Sequence, residues 1–162
     1  MLKNSDLESI LTRVHQWTWQ ADHKVNVMLA ALVAGAALLV PPLTKWFLAA
    51  SDGFRFFIVL GGLFYLAGVY NAVRAVFPDT TNPHKPLSIT FFGHIDAVAF
   101  DDYATRVNSI TEEELRHDFL TQIHVCARIA SRKFKNFRLA CLLGGVGLGV
   151  LAVSFWIYSV TL

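Results

Sequence analysis

The 162-residue chain predicts an all-α membrane protein: three transmembrane helices and a cytoplasmic helical domain built from extensions of spans 1 and 3. Composition is the first observation. The chain is 54% hydrophobic and 16% charged, whereas an ordinary soluble domain carries about 25% charged residues. Three apolar runs, Val25–Leu43, Phe56–Val73 and Leu139–Leu162, account for the excess. Each is long enough to cross a hydrocarbon core of roughly 30 Å as a helix. A soluble chain of this length could hardly enclose three helices apolar all round. The third observation is the basic residues. Of 14 Lys and Arg, only Lys45 and Arg55 lie between the first two runs; the other 12 precede the first run or lie between the second and third. That bias places the N-terminus and the long middle segment in the cytoplasm.

Residues 1–24 read as a cytoplasmic amphipathic helix. Ser5–Glu8, "SDLE", has the form of a capping box, a hydroxyl bonding forward and a carboxylate reaching back. Leu7, Ile10, Val14, Trp17 and Ala21 then recur at spacings of three and four, one face of a helix. No breaker precedes the first span, residues 25–46, so helix and span form one rod. Trp17 and Trp19 approach the headgroup level, where indoles are favoured. Twenty-four residues precede the first run and "PPLTKWF" separates it from the small residues Ala49–Ser51, so it reads as a retained span rather than a cleaved signal.

Span 2 occupies residues 54–77. Residues 78–110 follow as a cytoplasmic loop with "FFGHI", interrupted by Pro78, Pro83, Pro86 and Gly93. A second cytoplasmic helix, 111–137, opens on another capping box at Thr111–Glu114. It carries Leu115, Phe119, Gln122 or Ile123, Cys126, Ile129 or Ala130, Phe134 and Phe137 on one stripe and runs into span 3, residues 138–162. Neither rod's stripe can stay wet, so the rods are expected to pack on each other and on the loop. Cys126 and Cys141 are 15 residues apart on that helix, about 22 Å, and cannot pair.

"GGVGLG" at Gly144–Gly149 lies inside an uncharged span, not between a strand and a helix, so it does not read as a phosphate loop. Gly145 and Gly149, with Gly61 and Gly62, instead suggest small-residue faces for membrane packing and homo-oligomerisation. Of the six histidines, only His117 and His124 share a helix face, and no cysteine or carboxylate completes a metal set at ligand spacing. No nucleophile elbow, HExxH or Walker loop occurs. Neither an enzyme nor a cofactor is expected, and a net charge of +2 indicates no nucleic-acid partner. Membrane lipid is the surrounding partner.

Polar residues at the cytoplasmic edge say more. Lys24, Arg74, Arg132, Lys133 and Arg138 form a basic collar, but Asp22 among them needs a partner. Asp118 and Gln122 stand four apart on the stripe of the second rod. Buried there, they must find hydrogen bonds, either from FFGHI or from a ligand.

The combination of "RVHQWTWQADHKVNVMLA", "SITFFGHI" and "DFLTQIHVCARIASRKFKNFRLA" resembles the transmembrane effectors of the Pycsar anti-phage systems. The residues carrying the resemblance are Trp17, Asp22 and Lys24, Phe92–Ile95, and the pattern across Asp118–Phe134, with Ala127 where a serine is expected. The likeness runs from Arg13 to Ala140. It implies an antiviral defence effector that responds to cyclic CMP or cyclic UMP made by a companion cyclase, then impairs the inner membrane in abortive infection.

Which residues hold the nucleotide does not follow from the resemblance; chemistry suggests candidates. Phe92 and His94 offer ring surface for the base, Arg128 and Lys133 offer cations for the phosphodiester, and Asp118 with Gln122 offers a polar pair for the base edge. Alternatively, Phe91, Phe92 and Ile95 only plug the seam between rods. Separate alternatives for the function are a constitutive membrane scaffold or a small ion channel that binds no nucleotide.

Overall fold

The computed structural model describes residues 3–77 and 88–161. They form five helices: α1 (Asn4–Ala49), α2 (Asp52–Val76), α3 (Phe92–Asp96), α4 (Phe100–Ser109) and α5 (Glu112–Thr161). No strand occurs among the described residues. α1, α2 and α5 each contain a stretch long and apolar enough to span a membrane. The chain is an all-α membrane protein with three such helices. It divides into two compact units: residues 1–20 with 79–131, and residues 21–78 with 132–162, called the span unit below.

α1 starts earlier than its expected cap. Asp6, not Glu8, closes the first turn, its carboxylate accepting from the Lys3 amide at 2.9 Å. Leu7, only 1% exposed, donates its amide hydrogen to the Lys3 carbonyl at 3.2 Å, so the helix is already running before Ser5. The Thr111 box forms as expected: the Glu114 carboxylate accepts from the Thr111 amide at 2.9 Å and hydroxyl at 2.8 Å, and the Glu114 amide donates back to the hydroxyl at 3.3 Å. The Thr111 amide first, then its hydroxyl, hold the Glu114 carboxyl below the ordinary glutamate range. α1 continues through Pro41 and Pro42 to Ala49, a continuation that membrane helices tolerate.

The stretch expected as a loop contains α3 and α4; residues 78–87 of it lie outside the described residues. α4 forms because no proline or glycine occurs between Asp96 and Thr111, and Asp101 and Asp102 sit in its first turn, where carboxylates favour the helix dipole.

Within the span unit the glycine contacts give the helix directions. A Cβ on Gly61 would lie 3.0 Å from Leu151. One on Gly147 would lie 2.4 Å from the Tyr65 amide nitrogen, and one on Gly68 2.5 Å from that of Gly144. Numbers rise on α2 as they fall on α5, so these two run antiparallel. On α1, Asp22 meets Lys133, Met28 meets Cys141, Leu32 meets Gly144 and Gly35 meets Leu148. α1 and α5 therefore run parallel here, and the starts of the first and third spans share an edge with the end of the second. Leu32, Ala72 and Ala140 fill one layer of this pack; Leu43, Ile58 and Leu151 fill another. The Tyr65 hydroxyl donates to the Leu32 carbonyl, which disposes of its polar end within the apolar layer.

Glycine is required at Gly68 and Gly147, where any side chain would enter the neighbouring backbone. Of the four glycines expected at packing faces, Gly61 meets a neighbouring side chain, while Gly62, Gly145 and Gly149 have open space beside them. The contact inside one copy thus falls on Gly144 and Gly147. The buried line on α5 steps by sevens, through Lys133, Ala140, Gly147 and Ser154 and through Gly144 and Leu151, the 3.5-residue repeat of supercoiled helices. Leu38, at 77% exposed, and Leu48, at 80%, remain on the outside. Such surface suits lipid rather than water.

Candidate functional site

In the first unit, α1 contributes Leu7 and Val14 as its buried positions. Trp17, expected on the same stripe, is 54% exposed. The buried positions are spaced by seven, and Trp17 lies to one side of that line. α5 faces inward with Gln122 and Ala130, while Phe119, Ile123 and Cys126 are half-buried. Cys126 Sγ lies 3.5 Å from His15 Nε2, and burial pushes this thiol's pKa up. A protonated, half-buried thiol is a weak nucleophile.

The segment before FFGHI is fastened onto α5 by one carboxylate. Asp118 Oδ2 accepts from the Ile89 amide at 3.1 Å and from the Thr90 hydroxyl at 3.0 Å. Ser88 makes the turn. Its hydroxyl oxygen accepts from the amides of Thr90 and Phe91, both at 3.1 Å, the local bonding by which serine stabilises turns. The Ser88 amide donates to His94 Nδ1 at 2.8 Å, which leaves the ring proton of a neutral His94 on Nε2. The Phe91 ring meets the His94 ring edge-on, with centroids 5.0 Å apart. From α4, the Tyr103 hydroxyl donates to the Ile89 carbonyl at 3.1 Å. Residues 88–91 are thus held from three sides.

One turn along α5 from Asp118 stands Gln122, only 3% exposed. Its Nε2 is buried and has no hydrogen-bond partner among the described residues. A buried amide left so costs roughly 1–3 kcal/mol, and such a group in a native fold calls for an explanation. Beside it, Asp118 spends Oδ2 on the 88–90 turn. The arrangement can offer two N–H donors from Gln122 and the remaining acceptor capacity of Asp118 to a third party.

The six predicted site residues therefore separate. His94 and Asp118 meet at the 88–91 turn, and Gln122 stands one helical turn from Asp118 on α5. Phe92 begins α3, but its side chain lies outside the described residues. Arg128 is exposed on α5. Lys133 belongs to the span unit, where it is 6% exposed and its ammonium is paired with Asp22. That ion pair supplies the partner Asp22 needed. Sequence reasoning missed Ser88, Thr90 and Tyr103. The S-x-T spacing was the available signal for the turn, but nothing in the sequence marks which carboxylate the turn will meet.

No group of three or more His, Cys, Asp or Glu with metal-binding placement occurs among the described residues. A family model described as the Pycsar effector protein domain matches residues 6–159. No curated protein and no solved structure matches the chain.

Proposed function

The chain belongs to the Pycsar effector transmembrane family, and from that premise we propose that it senses a cyclic pyrimidine mononucleotide and then impairs inner-membrane integrity. The ligand is cyclic CMP or cyclic UMP from a companion cyclase. The reading rests chiefly on the orphaned Nε2 of Gln122, one helical turn from Asp118. Each pyrimidine presents an acceptor next to a donor on its Watson–Crick edge, and the amide and carboxylate complement that pair. Phe92 and His94 are the residue types that could stack on a base, a contact worth about 1–3 kcal/mol per base. Arg128 supplies the cation for the phosphodiester; Lys133 is already neutralised by Asp22, so the proposed site does not draw on it.

Damage to the membrane is assigned to the span unit acting as a homo-oligomer. Leu32, Ala72 and Ala140 fill the centre of one copy, which leaves a single copy no aqueous path there. Gly62, Gly145 and Gly149, which face open space, are the surfaces on which copies would approach each other. Orientation follows the basic residues: the edge carrying Lys24, Arg74 and Arg132 faces the cytoplasm. One observation favours a second reading, in which FFGHI is a structural clamp in a constitutive scaffold or channel. His94 Nδ1 and Asp118 Oδ2 are both spent on the 88–90 turn.

Calorimetry of the purified full chain against cyclic CMP, UMP, AMP and GMP separates the two. The sensing reading expects a pyrimidine ligand to bind, and expects Arg128→Ala and Phe92→Ala each to weaken it roughly 5- to 150-fold with melting near wild type. Absence of binding by all four nucleotides, or unchanged binding in both variants, removes the proposed site.

A further inference from the structure

We propose that the span unit selects anionic phospholipids through five cations at one edge: Lys24, Arg74, Arg132, Lys135 and Arg138. The charge inventory of the unit is the first ground. Its described carboxylates are Asp22 and Asp52. Asp22 is taken by Lys133, and Asp52 stands 3.3 Å from Arg55, which also caps the Phe47 and Leu48 carbonyls near the opposite ends of the helices. All five edge cations are exposed, and no carboxylate of their own unit faces them.

Placement is the second ground. Arg132, Lys135 and Arg138 follow one another by threes on α5, on the side opposite buried Lys133 and Ala140. They rise through about 9 Å, comparable to a headgroup layer of roughly 5–8 Å on each face of a bilayer. The other two cations sit at the same level. The Asn136 amide donates to the Arg74 carbonyl at 3.4 Å, and the Lys24 ammonium lies 6.0 Å from the centroid of the Phe134 ring. The Arg74 guanidinium likewise lies 5.9 Å from the Tyr70 ring centroid. Both charged groups lie over aromatic rings, at cation–π distance, on residues that remain exposed. Lipid phosphates with uncompensated charge complete this edge by charge-assisted hydrogen bonds. Zwitterionic headgroups, which carry their own cation, do so poorly.

The test uses purified full chain in detergent, titrated with phosphatidylglycerol or phosphatidylcholine and read by thermal melting. Phosphatidylglycerol raises the melting temperature at lower concentration than phosphatidylcholine, and the difference shrinks as salt is added. Each Lys→Gln or Arg→Gln change at the five positions weakens the phosphatidylglycerol effect about fivefold; Arg55→Gln, at the other edge, leaves it unchanged. Equal effects of the two lipids overturn the proposal, as does a preference that survives neutralising all five. If inorganic phosphate displaces phosphatidylglycerol at equal concentration, the edge binds a soluble anion and the lipid assignment fails. Should the variants insert poorly, the salt series on the unaltered protein decides alone: a preference indifferent to salt refutes it. None of these readings involves a nucleotide, so they stand or fall apart from the sensing role.

Discussion

Replacing Gln122 with methionine distinguishes an amide that awaits a ligand from one that merely packs. The side chain is 3% exposed and its Nε2 has no partner among the described residues. Methionine has similar length and no donor to satisfy, so the substitution removes a desolvation penalty of about 1–3 kcal/mol. For a chain of this size each kcal/mol moves the melting temperature by roughly 2–4 °C. The nucleotide-free variant should therefore melt at least about 2 °C above wild type. With nucleotide the gap narrows. At a hundred times its dissociation constant a ligand stabilises the wild type by about 2.7 kcal/mol. A 5- to 150-fold loss of affinity leaves the variant only about 0.3–1.8 kcal/mol of that at the same concentration. Melting curves of both proteins, with and without cyclic CMP and cyclic UMP, measure all four corners. A variant that melts below wild type without nucleotide, yet keeps the full ligand-induced rise, refutes the reasoning: the amide would then be satisfied inside the protein.

Three further outcomes follow from the packing and the charge distribution. Lys133→Met should destabilise the chain by about 1–3 kcal/mol, less than a fully buried pair, because the Asp22 side chain is 41% exposed and water screens the loss. Adding Asp22→Asn should recover most of it, and a double-mutant cycle in melting temperature that shows no coupling would count against the pair. Gly147→Leu should collapse the span unit, since a Cβ there already reaches 2.4 Å from backbone. Gly145→Leu should leave folding intact and weaken self-association in detergent; wild-type oligomers in that variant exclude its face from assembly. In a background with Cys126 and Cys141 replaced by serine, a cysteine at Asp101 should resist impermeant thiol reagents in intact cells while one at Ser51 reacts. The opposite labelling reverses the orientation.

Composition and spacing alone determined the three spans, the two long helices and the Thr111 capping box, because each depends on residues close in sequence. Twenty apolar residues must form a helix in lipid whatever surrounds them. The same reasoning found that Asp118 and Gln122, by their position on a stripe, and Asp22, by its place at the membrane edge, each need a partner. Partners are a different matter. Lys133 reaches Asp22 across 111 positions, and Thr90 reaches Asp118 across 28. Both meetings depend on the register in which separate helices and the turn dock, which local periodicity does not encode. Register also decided which glycines touch: Gly144 and Gly147 differ from Gly145 and Gly149 by a residue or two, and at about 100° per residue that turns a contact face outward. The irregular segment shows the same limit. Its prolines and glycine marked where a regular helix stops, but only the folded chain set the Ser88 turn between α5, α4 and His94. That docking is what left Asp118 occupied.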